Sequence, residues 1–204
     1  PLSLSLPAFG QVPTGLALLR SGGRAGDHVW LSGSLGDAAL GLRCRLGELA
    51  ELAPADRDVL IGRYLLPQPR TMLGPRLRGL ASAAMDVSDG LIQDLGHLAR
   101  QSGLAAEIRI DCLPLSAAAR AAIAADDSRL ASVLGGGDDY EIVFTAAAQH
   151  SNLIEALGRE LGIAVTAIGR MTEGRGVRAI DGQGRAVTVP HGGWRHFDDS
   201  GGQP

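Results

Sequence analysis

The chain of 204 residues is poor in aromatic side chains, at 3% of its composition, and has only two cysteines, Cys44 and Cys112, neither in a CxxC pair. The first shortage means that a core must be built from leucine, alanine, isoleucine and valine. The second excludes a disulfide-stapled scaffold and a cysteine-rich zinc module, and leaves two free thiols suited to a reducing compartment. Positive charge is not in surplus either. A net charge of -3 argues against a nucleic-acid surface, so any anionic ligand needs metal ions or local donors rather than a global basic field. There is no signal-peptide pattern and no apolar run of membrane-spanning length, so a soluble cytoplasmic protein with no nucleic-acid or membrane partner is expected. GxSxG, HExxH and Walker A motifs are absent, and the five histidines lack metal-ligand spacing.

What is present is a globular balance of 45% hydrophobic and 20% charged residues, enough for a real core. Leu2, Leu4 and Leu6 alternate with Ser3 and Ser5, which predicts a strand at the start. Further strands are predicted at HVWLSG (28–33), AAMDV, LAAEIRI, EIVFTA and IAVTAIG, with a hairpin over GVRAI-DGQG-RAVTV. Helices are predicted over SLGDAALGLRCRLGEL, PADRDVLIGRYLL with Asp56 as N-cap, a short GPRLRGLA segment, the Leu91–Leu95–Leu98 stripe closed by Gly103, LSAAARAAIAA, and SNLIEALGREL with Ser151 at its cap. The tail HGGWRHFDDSGGQP has no period and is expected to be disordered. The fold class that follows is α/β (α+β), a mixed β-sheet flanked by helices.

Four stretches could carry chemistry. Asp86-x-Ser88-Asp89-Gly90 lies where a strand runs into a helix. A serine or aspartate there can simply cap the helix, which accounts for Ser88 or Asp89 but not for Asp86. Two carboxylates so close repel unless a cation lies between them, and Mg²⁺ takes one or two carboxylates together with substrate phosphates. Gly135-Gly136-Gly137-Asp138-Asp139-Tyr140-Glu141 is a second acidic turn at a strand mouth, either a ligand loop or a solvated one. Arg20 in a glycine-rich loop suits phosphate, or is a plain surface arginine. SGSLGD (32–37) has GxxG rather than the GxGxxG of a dinucleotide fold.

In order and spacing, FGQVPTGLALLRSGGRAGDHVWLSGSLGDAALGL, RYLLPQPR, AMDVSDGLIQDLGHLA, GGGDDYEIVFT and GGWRHF resemble the thiamine-monophosphate kinase family, within the aminoimidazole ribonucleotide synthetase-related superfamily. The resemblance covers essentially the whole chain. It implies ATP-dependent phosphorylation of thiamine monophosphate to thiamine diphosphate by direct in-line transfer with Mg²⁺. It also implies Asp86 and Asp89 as metal ligands, Ser88 and Arg20 as ATP contacts, and Asp138 and Trp194 as substrate contacts, a carboxylate and an indole face suiting a cationic thiazolium. The family usually has Glu where this chain has Asp138. The resemblance further implies that residues 1–25 are the end of a truncated N-terminal ATP-binding domain and linker, 26–190 a C-terminal α/β domain and 191–204 a tail. The absent N-terminal half would supply further magnesium-binding acids and the main surface of a homodimer. Alternatives are a non-catalytic fragment that binds nucleotide or a partner, and another ATP-using synthetase of the superfamily.

Overall fold

A computed structural model describes residues 3–189 and 193. Its strands are β1 (His28–Ser32), β2 (Ala83–Val87), β3 (Ala105–Arg109), β4 (Glu141–Ala146), β5 (Val165–Thr172), β6 (Gly176–Ile180) and β7 (Ala186–Val187). They form one seven-stranded sheet in the order β2-β4-β1-β5-β3-β6-β7. Neighbours run antiparallel except β3 and β6, which are parallel. The sheet is therefore mixed, as expected.

Period-two alternation splits the strands between two cores. Val29, Leu31, Val87, Val143, Ile108 and Met171 face one core; Trp30, Phe144 and Ala146 face the other. The larger core is closed by α1 (Asp37–Arg45), α2 (Pro54–Leu65), α4 (Leu91–Gln101), α5 (Ala117–Ala125) and α6 (Arg129–Gly135). The smaller is closed by α3 (Leu73–Arg76) and α7 (Ser151–Leu161), with Trp30 stacked on Phe144 at a ring separation of 6.2 Å. The predicted stripe of α4 is fully buried at Leu91, Leu95 and Leu98. Truncating Leu95 to alanine would cost about 2–5 kcal/mol in such a setting.

Four local expectations are corrected. Residues 3–6 form no strand, and Leu4 and Leu6 are 92% and 96% exposed; alternation encodes an apolar face but not a partner for it. Asp56 is not the N-cap of α2: Pro54 occupies the first helical turn, where its missing N–H costs nothing, and Asp56 sits in that turn where its charge favours the helix dipole. His150, not Ser151, precedes α7, and the Ser151 hydroxyl donates back to the Ala148 carbonyl at 2.8 Å. The helix α6 was not anticipated; its short apolar set of Leu130, Val133 and Leu134 abuts the glycine run.

Candidate active site

Antiparallel pairing of β2 with β4 sets Val87 opposite Glu141. The end of β2 therefore lies beside the start of β4, and the chains leaving and entering these strands run side by side. The Asp138 N–H donates to the Ser88 carbonyl at 3.0 Å and the Tyr140 N–H to the Val87 carbonyl at 2.9 Å. The approach is close enough to require glycine. A Cβ on Gly137 would fall 2.2 Å from the Ser88 carbonyl oxygen, and one on Gly90, at φ +123°, would fall 2.7 Å from the Gly135 backbone. The two acidic turns singled out in the sequence thus come together in one candidate site.

Within it the carboxylates divide by role. Asp94, one turn into α4, reaches back so that its Oδ2 accepts the N–H groups of Ser88, Asp89 and Gly90 at 2.9, 3.0 and 3.2 Å. Burial pushes its carboxyl above the usual carboxylate range, opposed by those N–H donors. Neither Ser88 nor Asp89 caps α4, whose N-cap is Gly90. The capping alternative therefore belongs to Asp94, which the sequence reading left without a role. Asp86 is exposed and makes no side-chain hydrogen bond or ion pair with a described residue. Asp89 is half-buried and accepts a bond from Gln93 Nε2 at 3.2 Å. No described arginine bridges to Asp86, Asp89 or Asp138. Asp138, half-buried, accepts the Tyr140 hydroxyl at 3.3 Å.

No group of three or more His, Cys, Asp and Glu among the described residues could hold a metal unaided. The two carboxylates of Asp86 and Asp89 still fit Mg²⁺, whose remaining positions go to water and phosphate. The donor set is all oxygen, which disfavours zinc.

Arg20 is exposed on a segment that runs along the free edge of β2, where the Leu19 carbonyl accepts the Ala84 N–H at 2.9 Å. It lies beside the strand that ends in Asp86, but no bond joins it to the acids. Trp194 lies outside the described residues. Its neighbour Gly193 packs against Gln93, where an added Cβ would fall 2.4 Å from the Gln93 Cβ. Gln93 also lines a cavity of ≈ 810 Å³ with Ile92, Gly96 and His97.

Sequence reasoning missed a buried ionic frame beneath the site. Glu141 is fully buried and accepts bonds from Arg70 Nε at 2.7 Å and Nη2 at 2.6 Å, from Arg63 Nη2 at 3.0 Å and from Ser32 Oγ at 2.6 Å. Asp37 accepts the hydroxyls of Ser34 at 2.5 Å and Ser116 at 2.6 Å. Asp139, 1% exposed, accepts the N–H of Gly36 at 2.6 Å and of Ala38 at 3.1 Å, which ties the acidic loop to the start of α1. Burial pushes its carboxyl up to about 7, against the pull of those N–H groups. RYLLPQPR supplies both arginines, a signal visible in the sequence but without an assigned partner there.

Residues 24–182 match the family described as AIR synthase related protein, C-terminal domain. A thiamine-monophosphate kinase from Salmonella typhimurium is 39% identical over 198 residues, 97% of this chain and 60% of that protein. Among solved structures, a thiamine-monophosphate kinase from Stenotrophomonas maltophilia K279a is 46% identical with a TM-score of 0.78, covering 87% of this chain and 56% of its own. A structure described as AaThiL complexed with AMPPCP and TMP is 36% identical with a TM-score of 0.72, covering 88% and 54%. The chain thus spans about 60% of the length of the curated relatives it matches.

Proposed function

The chain belongs to the AIR synthase related protein C-terminal domain family, and from that premise we propose that it is the C-terminal part of a thiamine-monophosphate kinase. In the proposed reaction a phosphate oxygen of thiamine monophosphate attacks the γ-phosphorus of ATP. The bond to the β,γ-bridging oxygen breaks, and ADP and thiamine diphosphate leave. Phosphoryl transfer of this kind needs positioning and charge neutralisation more than a protein nucleophile. The observation that carries the reading is that backbone bonds bring the Asp86-x-Ser88-Asp89 turn beside Asp138, in a chain 39% identical to a thiamine-monophosphate kinase.

Asp86 and Asp89 would hold Mg²⁺, which when bound neutralises phosphate charge and aligns the nucleotide. Ser88, whose N–H is held by Asp94, keeps its hydroxyl for the nucleotide. Arg20 supplies a phosphate contact. The chain has no lysine, so its own share of the phosphate charge is met by arginine, by backbone N–H groups or by metal. Asp138 and Trp194 would take the cationic substrate, with Asp138 one methylene shorter than the glutamate usual in the resemblance. In this reading residues 1–25 are the end of an N-terminal ATP-binding domain and linker, 26–190 the C-terminal domain and 191–204 the tail. The remaining part of the enzyme, in a homodimer, completes the site in the cytoplasm. The described residues contain no helix long and apolar enough to cross a membrane.

The test is thiamine diphosphate formation from Mg-ATP and thiamine monophosphate, by this chain alone and with the N-terminal region of a thiamine-monophosphate kinase added. Product from the complemented chain, lost in Asp89→Ala, supports the kinase reading. Magnesium-dependent nucleotide binding with no product in either setting would instead support a binding role without turnover, the reading favoured if the chain's 60% span is all that acts.

A further inference from the structure

Asp138 and Tyr140 are the two non-glycine residues among those described with positive φ, at 71° and 52°. For a bulky tyrosine this is an outlier that folding alone does not favour, and such strain persists only where surrounding contacts fix it. The contacts are identifiable. On either side, the N–H groups of Asp138 and Tyr140 are committed to the β2 end at Ser88 and Val87. Between them, Asp139 turns inward and is pinned by the N–H groups of Gly36 and Ala38. The residue so held gains little burial. Tyr140 is 38% exposed and belongs to neither core. Its hydroxyl donates to Asp138, and its phenol is held above its ordinary range by burial first and then by Asp138, Asp86 and Asp89. A partly open aromatic ring in the field of three carboxylates is a poor seat for an anion and a good one for a cation, which the ring face attracts directly.

We propose that Tyr140 is a further substrate-contacting residue of this site, presenting its ring to a cationic heteroaromatic group, and that buried Asp139 is the positioning residue that holds it there. The proposal deepens the kinase reading and rests on it. The ligand chemistry is that of a thiazolium, and the contact lies on the substrate side of the metal-binding acids. Tyr140 acts through its ring. Asp139 acts only through the backbone of its two neighbours.

The experiment measures steady-state kinetics of the complemented kinase for wild type, Tyr140→Phe, Tyr140→Ala and Asp139→Asn, varying thiamine monophosphate and Mg-ATP separately. Tyr140→Ala raises KM for thiamine monophosphate at least tenfold and leaves KM for Mg-ATP within twofold; Tyr140→Phe, which keeps the ring, stays within threefold for both. Asp139→Asn, whose amide turns a donor toward one of two backbone donors, raises the same KM as Tyr140→Ala does. In this chain by itself with Tyr64→Phe, where Tyr140 is the one tyrosine left, the phenol also titrates at lower pH once Asp139 is replaced. A folded Tyr140→Ala enzyme with unchanged KM for thiamine monophosphate overturns the ring contact. An unshifted phenol and unchanged KM in folded Asp139→Asn overturn the positioning role. A wild-type protein with no turnover overturns the kinase reading itself, and the inference with it.

Discussion

Along residues 138–141 neighbouring acids occupy opposite environments. Asp139 and Glu141 are buried, and each is saturated: Glu141 by two arginines and a serine, Asp139 by two backbone N–H groups. Among the described residues, Asp138, with Asp86 and Asp89 across the turn, meets only a tyrosine hydroxyl and a glutamine amide. The inner acids tie the mouth of β4 to the end of β1, to the start of α1 and to Arg63 and Arg70. The outer acids lie at the turn after β2 and beside it, with no described arginine on them. The outer acids therefore keep carboxylate oxygens open toward a ligand, whereas the inner acids are bonded within the protein itself.

The sharpest way to break this comparison is Glu141→Gln. It leaves Arg63 and Arg70 facing an uncharged amide in a buried site, and removing one partner of such a pair costs about 3–5 kcal/mol. Urea denaturation should show that loss; a loss below about 1 kcal/mol would mean that the inner acids do not frame the site.

The Asp139 carboxyl gives a smaller effect with a definite sign. Its folded value, about 7, lies above the ordinary carboxylate range. Between the two values the folded chain keeps a proton that the unfolded chain has released, so this group's contribution to stability falls as pH rises through that window and levels off above about 7. Asp37 and Arg63, which face it, move the window in opposite directions. The melting temperature of wild type relative to Asp139→Asn should therefore be higher at pH 5 than at pH 8. A difference independent of pH would contradict the assignment.

Much of this arrangement was legible beforehand. AAMDV followed by the Leu91–Leu95–Leu98 stripe announces a strand running into a helix, and the acids on that joint mark it as a candidate site. The division of labour among the acids was hidden. Parity along a strand fails at Asp138 and Tyr140 because positive φ values rotate the chain there. The inward turn of Asp139 therefore cannot be counted from the sequence. Asp94 was overlooked because its carboxylate reaches back to the turn before its own helix, in a position where first-turn acids usually read only as dipole partners. Leu4 and Leu6 show the reverse failure, a regular pattern with no described surface to satisfy it.

The smallest expected effect on stability is at Asp86, which has no described side-chain partner, and Asp89, which has one bond from Gln93, where replacement by alanine should change it by no more than about 0.5 kcal/mol. Their effect on binding should be the largest. The central claim is that these two acids hold a metal-bound nucleotide, and it is tested most directly by calorimetric titration of AMPPCP into the complemented chain, with and without Mg²⁺. The account predicts binding that requires Mg²⁺ and weakens at least tenfold in Asp86→Ala and in Asp89→Ala, both with unchanged melting temperature. Equal affinity in wild type and variants, or binding indifferent to Mg²⁺, would contradict it.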